Sequence, residues 1–498
     1  MKVKIKIPPK SFFNQANSIL QNVLSSSPKP LDYYHLNDKI TDDTPQLQEL
    51  IGSQVPFRKF KISAGTSDYL AYEPYLKQIT NDIKNARYYR SYNCPLGNVE
   101  ARQALTTMEN AKFGNDPVYT YRDIALTEGS TGAISQIFEY LKLSNPAAEV
   151  IIAMPTYYLY KFLAKFFQLK YQEAFKIIST KEGVTSFNAI PDIFKKINRQ
   201  TKLIILVQPN NPTSQIYPYK DIKKLLSICQ RKNILLLVDE LFSELIFEDL
   251  IFTPTDLLAK KCNALNNLVI VKGYSKSKNL AGFRIGYLFS KNKSLLRAME
   301  TISEQRQCFA AASNFTGAIA LDSFIQTIKT KLEKGESLTK AIKKTKKDFN
   351  EFSPTISNLT ESTLRNVYKG YLNYLNQIKE SYSRNYDLAI DILGKNISSL
   401  TPKVSAFNTF VKIKDMEPIN YFDFCFNFYL CCNIVTQIGP CFAFDQLKWQ
   451  KDPSLGFWLR LSYSRERKEF ITALKLFNEF KKIYLTNKNK FLKIGLMF

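Results

Sequence analysis

A single histidine, His35, stands among the 498 residues. Any mechanism or metal centre that needs several imidazoles is therefore excluded at the outset, and no metal site is expected. The eight cysteines (94, 229, 262, 308, 425, 431, 432 and 441) include no CxxC pair. A chain of this length needs no disulfide framework, so reduced thiols and a cytoplasmic location are expected. With only 17 glycines and 21 prolines, the composition is neither collagen-like nor low-complexity. No apolar run reaches about eighteen residues, the length that spans a membrane. The aromatic stretch from Phe422 to Phe444 is interrupted by Asp423, Asn427, Asn433 and Gln437. The first nine residues alternate charged and apolar side chains without a signal-peptide core.

Acidic residues are the minority, 44 against 69 basic, which leaves a formal net charge of +25. Of the basic residues 54 are lysine, spread along the whole chain, the pattern of a solvated surface more than of a nucleic-acid footprint. The densest cluster puts eight lysines between Lys329 and Lys347. It is the one candidate for a regulator that binds nucleic acid, and no helix-turn-helix or zinc module accompanies it.

What is present is a large apolar complement, 45% hydrophobic and 13% aromatic, enough for two or three domains with substantial cores. Three short runs, Leu203–Val207, Ile234–Val238 and Leu268–Val271, read as strands buried on both faces of a parallel sheet. A helical pattern from Tyr219 to Arg231 separates the first two. A further strand, Glu149–Ala153, follows a helical pattern from Gly132 to Leu143. This alternation is that of an α/β layer structure. From about 325 to 380 the sequence is helical and Lys-rich; beyond it, Phe410–Ile413 and Trp458–Ser462 read as strands of a smaller domain. The expected organisation is an N-terminal arm (1–62), a large domain whose mostly parallel central sheet is flanked by helices (63–324), a helical insertion or linker (325–380) and a smaller C-terminal α/β domain (381–498).

In open sheets of this kind ligands bind beyond the carboxyl ends of the strands. Those positions here carry Tyr157, Asn211, Asp239 and Lys276. Together, Gln208-Pro-Asn-Asn-Pro-Thr213, Val238-Asp-Glu240 and Tyr274-Ser-Lys-Ser-Lys-Asn-Leu-Ala-Gly-Phe-Arg-Ile-Gly-Tyr287 resemble the motifs of class I/II aminotransferases, the fold type I enzymes that use pyridoxal 5'-phosphate (PLP). The resemblance implies that Lys276, eight residues before Arg284, forms the Schiff base with PLP, and that Ser275 and Arg284 contact its phosphate; Lys278 does not fit the spacing. It implies further that Asp239 holds the pyridinium nitrogen, Asn211 donates to the ring's phenolic oxygen and Tyr157 stacks on the ring. Ser130 and Thr131, in Glu128-Gly-Ser-Thr-Gly-Ala133, would bind phosphate at a helix start. Tyr92 would reach the phosphate of a partner subunit in a homodimer. Arg460 would clamp the substrate α-carboxylate, with Gly65 close by.

The expected function is a PLP-dependent aminotransferase exchanging α-amino and 2-oxo acids. A lyase or synthase using the same carbanion, or a PLP-binding regulator, are the alternatives. Three positions depart from the family pattern: Phe242 in place of a tyrosine that donates to the phenolic oxygen, Gly273 in place of a phosphate-cup serine, and Cys441 where glycine is frequent.

Overall fold

In the computed structural model, which describes residues 4–495 other than 27–32, 91, 180–182, 248–249, 251, 307–309, 406, 417–419, 444 and 453, a seven-stranded sheet forms the centre of the chain. Its strands are β1 (Ile124–Glu128), β2 (Glu149–Ala153), β3 (Lys170–Ala174), β4 (Thr201–Val207), β5 (Leu235–Asp239), β6 (Leu268–Gly273) and β7 (Ile285–Ser290), in the spatial order β1-β7-β6-β5-β4-β2-β3. Only β7 runs against its neighbours β1 and β6. Strands β2, β5 and β7 are buried along their whole lengths, and β4 and β6 everywhere but at Lys202 and Lys272, which is why their sequences run nearly continuously apolar instead of alternating. The helix expected over 219–231 is Tyr219–Lys232, ending on Asn233 in the left-handed region (φ 50°). That expected over 132–143 begins three residues earlier, as Gly129–Ser144.

The smaller domain has a three-stranded antiparallel sheet of β8 (Ile397–Leu400), β9 (Asn408–Ile413) and β10 (Phe457–Ser462). Behind it lies the helix Tyr421–Cys432, all twelve residues of which are buried. A helix apolar on every side needs partners on every side. The helix Arg467–Thr486 supplies one, with Phe477 and Phe480 at 5.8 and 5.4 Å from Phe424 between ring centroids. The N-terminal arm supplies another, through Tyr33 against Phe422 at 5.8 Å. The arm is three helices (Lys10–Ser26, Tyr33–Asp42 and Pro45–Gln54) followed by the strand Phe60–Lys61, which pairs in parallel with Ile434–Val435. It is part of the small-domain core.

The segment expected as an insertion is differently built. The helix Thr316–Glu333 spans the division drawn at residue 324, and residues 316 to 328 are buried without interruption. It packs beside Val99–Asn110 and Glu73–Lys84 as a core helix of the large domain. The 33-residue helix Glu361–Leu393 spans the division drawn at 380 and carries the chain into the small domain. Of the clustered lysines, Lys329, Lys331 and Lys344 pair with Glu333, Asp348 and Glu336, and Lys334 donates to the carbonyls of Ala111 and Lys112. No single helix among the described residues is long and apolar enough to cross a membrane, and no metal-binding group of His, Cys, Asp or Glu occurs among them. Cys308 lies outside the described residues.

Candidate active site

The carboxyl ends of β1, β2, β4, β5 and β6 open on one cavity of about 300 Å³, closed from the other side by the arm and the small domain. The reversal of β7 matters here, because its first residue lies where its neighbours end, and this brings Arg284 to the same edge. Of the residues expected at the site, Gly65, Ser130, Thr131, Tyr157, Asn211, Asp239, Ser275, Lys276, Arg284 and Arg460 all line this cavity. Tyr92 does not; it is 85% exposed on the outside of the large domain.

Lys276 sits on the one-turn helix Tyr274–Ser277 immediately after β6, and its amine donates to the Gly65 carbonyl. Burial, together with the positive charges of Arg460 and Arg284, lowers this amine to about 8 against the opposing pull of Asp239. A lysine so placed keeps a far larger neutral fraction near physiological pH than an ordinary lysine and can act as a nucleophile. Lys278 points away from the cavity into the protein interior.

Asp239 ends β5 with 6% exposure. One carboxylate oxygen accepts from the Tyr160 hydroxyl at 2.7 Å and the other from the Leu241 N–H at 3.1 Å. Burial raises its pKa, while those two donors and Lys276 favour the charged form. Tyr160, on the helix Leu159–Phe166, is a contact of Asp239 that sequence reasoning did not single out; its one signal there is its position three residues beyond Tyr157.

At the other end, Arg460 projects from β10 with 3% exposure. Its guanidinium donates to Asn211 Oδ1 at 2.8 Å, to the Ser63 carbonyl and to Gln437 Oε1, and it lies 5.0 Å from the Phe442 ring centroid. Its Nε is buried with no hydrogen-bond partner. Burial pulls the guanidinium down to about 10. Among the described residues no carboxylate stands within ion-pair distance of this arginine, although the Asp38 charge acts on it from the same cavity wall. Asn211 is thus engaged with Arg460 while lining the same cavity.

Gly129 (φ +67°) turns the chain from β1 into the 16-residue helix Gly129–Ser144, so the backbone N–H groups of Ser130 and Thr131 lie at a helix start beside Arg284. The approach is close: a Cβ on Gly286 would fall 2.2 Å from the carbonyl carbon of Gly129. The same crowding accounts for Gly273, where a Cβ would stand 3.1 Å from the Ile285 carbonyl, so a serine there would push on a paired strand. Gly65 is less constrained, since a Cβ would meet Lys276 Nζ and Arg460 Nη2 at an ordinary 3.9 Å. Tyr34 and Asp38 from the arm, Gln437 from the small domain and Phe242 complete the wall. Phe242 packs 5.5 Å from Phe407 and offers no hydrogen bond where the family pattern has a hydroxyl.

The sequence profile described as aminotransferase class I and II matches residues 59–355, well over half of the chain. The chain belongs to that family. Among relatives of this aminotransferase family, the aspartate aminotransferase of Sulfolobus acidocaldarius is 24% identical over 253 residues, covering 50% of this chain and 61% of the relative. The probable aspartate aminotransferase of Methanocaldococcus jannaschii is 29% identical over 204 residues, 40% and 50% of the two chains. The chain thus spans about three fifths or less of these curated relatives. In fold the likeness is wider. The aspartate aminotransferase of Thermotoga maritima superposes with a TM-score of 0.65 at 17% identity, covering 92% of this chain and 99% of that one. That of Thermus thermophilus with maleate gives 0.63 at 18% identity, covering 92% and 98%.

The family's cofactor is PLP, and the donor set suits it. A cationic helix start with Arg284 matches a phosphate, a buried carboxylate matches a protonated ring nitrogen, and a lysine with a lowered pKa matches an aldehyde.

Proposed function

We propose that the protein is a PLP-dependent aminotransferase exchanging an α-amino acid and a 2-oxo acid. The observation that carries this reading is the convergence on one cavity of a lysine with a lowered pKa, a buried carboxylate and a buried arginine that makes no ion pair among the described residues. When bound, PLP supplies an electron sink for the pair released as the substrate's Cα–H bond breaks. Ser130, Thr131, Ser275 and Arg284 would hold its phosphate, Tyr157 one ring face, and Asp239 its nitrogen. Arg460 fixes the substrate carboxylate by its planar fork, steadied by Asn211 and Gln437. Lys276 Nζ, on the Gly65 side of the cavity, takes and returns the proton at Cα. The walls from Tyr34 and Phe242 exclude water from that transfer.

Two finer points belong to this reading. The exposed Tyr92 ring supports a homodimer in which it reaches a neighbouring subunit's phosphate site. Seven free thiols among the described residues support a reducing, cytoplasmic location.

The test is the visible absorbance of the purified protein with PLP before and after borohydride, followed by peptide mass mapping. A reducible chromophore mapped to Lys276 is the expected result; an adduct on Lys278, or none, overturns the reading. Arg460→Lys keeps the charge but loses the fork and strands the Asn211 and Gln437 acceptors. Its KM for amino acids is expected to rise about 10- to 100-fold, the worth of a charged hydrogen bond, with a smaller change in kcat. Steady-state kinetics check it, and an unchanged KM would place the carboxylate elsewhere.

A further inference from the structure

Lys278 lies two residues beyond Lys276, has no exposed side-chain surface and is absent from the cavity wall. Its ammonium pairs with Asp322 Oδ1 at 2.8 Å and with the Glu244 carboxylate, and meets the Tyr371 hydroxyl at 3.0 Å. Around it Tyr75 donates to Asp322 at 2.7 Å, Gln326 bridges Asp322 and Tyr371 at 3.2 and 3.0 Å, and Ser277 meets Glu244 at 3.3 Å. Burial alone works against the charge, but Asp322 and Glu244 outweigh it and hold Lys278 protonated above its ordinary value.

The members come from different parts of the chain. Glu244 is five residues past Asp239, in the turn after β5; Asp322 is in the middle of Thr316–Glu333; Tyr371 is on Glu361–Leu393; and Tyr75 is on Glu73–Lys84. Burying Lys278 and Asp322, with Glu244 only partly exposed, is a poor way to gain stability, because desolvation costs several kcal/mol per ion and a packed apolar cluster does as well. What such a cluster does supply is a fixed geometry. The four-residue helix Tyr274–Ser277 needs that, since one turn does not hold its shape alone. Its leading end is tied by β6, and its trailing end is Lys278.

We propose that Lys278 is a positioning residue: clamped by Glu244, Asp322 and Tyr371, it locks the turn that carries Lys276 and so holds that amine between Gly65 and Arg460. The helical segment after residue 325 thereby acquires a part in the site through Tyr371, although it lines none of the cavity. The inference rests on the proposed function only for what Lys276 does there.

The test uses two variants, Tyr371→Phe and the neutral triple Lys278→Met, Glu244→Gln, Asp322→Asn. In cofactor-free protein, the pH dependence of Lys276 modification by a dilute acylating reagent, located by peptide mass, reports where the amine sits. The midpoint near 8 for the parent protein is expected to move up by about one pH unit or more in the triple variant, toward an ordinary lysine. In the PLP-loaded enzyme kcat is expected to fall about 10- to 100-fold, the effect of a small misplacement, with KM changed less than about threefold. Tyr371→Phe should move both readings in the same direction by less. A triple variant that melts as the parent does, with the midpoint and kcat unmoved, overturns the proposal. If the triple does not fold, Tyr371→Phe decides on the same readings. Failure of the parent to bind PLP would overturn the proposed function, while the acylation midpoints would still decide the positioning role.

Discussion

Replacing Lys276 with alanine is expected to lower turnover of an amino-acid donor by about 10⁴-fold, the upper range of what a positioned proton carrier contributes. PLP should still bind, because the helix start at Ser130 and Thr131, Arg284 and Asp239 are untouched by the change, but borohydride should leave no cofactor covalently attached to the protein. The lowered pKa gives this residue a second signature. Below about 8 the neutral fraction of the amine grows with pH, and above that value it is nearly complete. The rate of PLP capture is expected to rise about tenfold from roughly pH 6 to 7 and to level off above about pH 8, whereas an ordinary lysine would climb toward about 10.4. Stopped-flow absorbance separates the two, and a rate still rising at pH 9.5 would mean that the amine is not the one held beside Arg460.

Asp239→Asn should cost nearly as much. An amide has the shape of the carboxylate but cannot balance a protonated ring nitrogen in a buried site, and breaking a buried ion pair costs about 3–5 kcal/mol. At tenfold per about 1.4 kcal/mol this predicts a fall in kcat of about 10²- to 10⁴-fold. The smaller companion change is Tyr160→Phe. Burial already raises the Asp239 pKa, and the Tyr160 hydroxyl is one of two donors opposing that rise. Without it the carboxyl protonates at higher pH, so the acid limb of the activity profile should move up. A limb that stays in place in Tyr160→Phe would show that the profile reports another group.

The elements with one dominant periodicity were legible before the fold was known. Buried strands such as β4, β5 and β6 announce themselves as short apolar runs, and the loop residues after them follow from the rule for open sheets. What escaped is what depends on tertiary partners. Thr316–Glu333 ends in lysines at 329 and 331, so its composition reads as surface, although its first thirteen residues are core. Nothing local marks Tyr34 or Asp38 as cavity residues, because the arm reaches the cavity by packing on the small domain and on Tyr158 beyond β2. The pairing of Tyr160 with Asp239, and of Lys278 with Asp322, joins residues 79 and 44 positions apart, beyond any pattern of 2 or 3.6.

The arm also sets an order of events in biosynthesis. Phe13 meets Phe491 at 6.1 Å, and the Tyr33 N–H bonds Gln446 at 3.0 Å, so the arm helices find partners that are made more than four hundred residues later. At about 5–20 residues per second, the nearly five hundred residues between Phe13 and Phe491 take on the order of half a minute to a minute and a half. The large domain can be assembled during that interval, since its sheet is complete by Ser290. The apolar faces that the arm helices turn to the small domain remain uncovered until that domain has left the ribosome, so this surface is exposed for the whole of that interval.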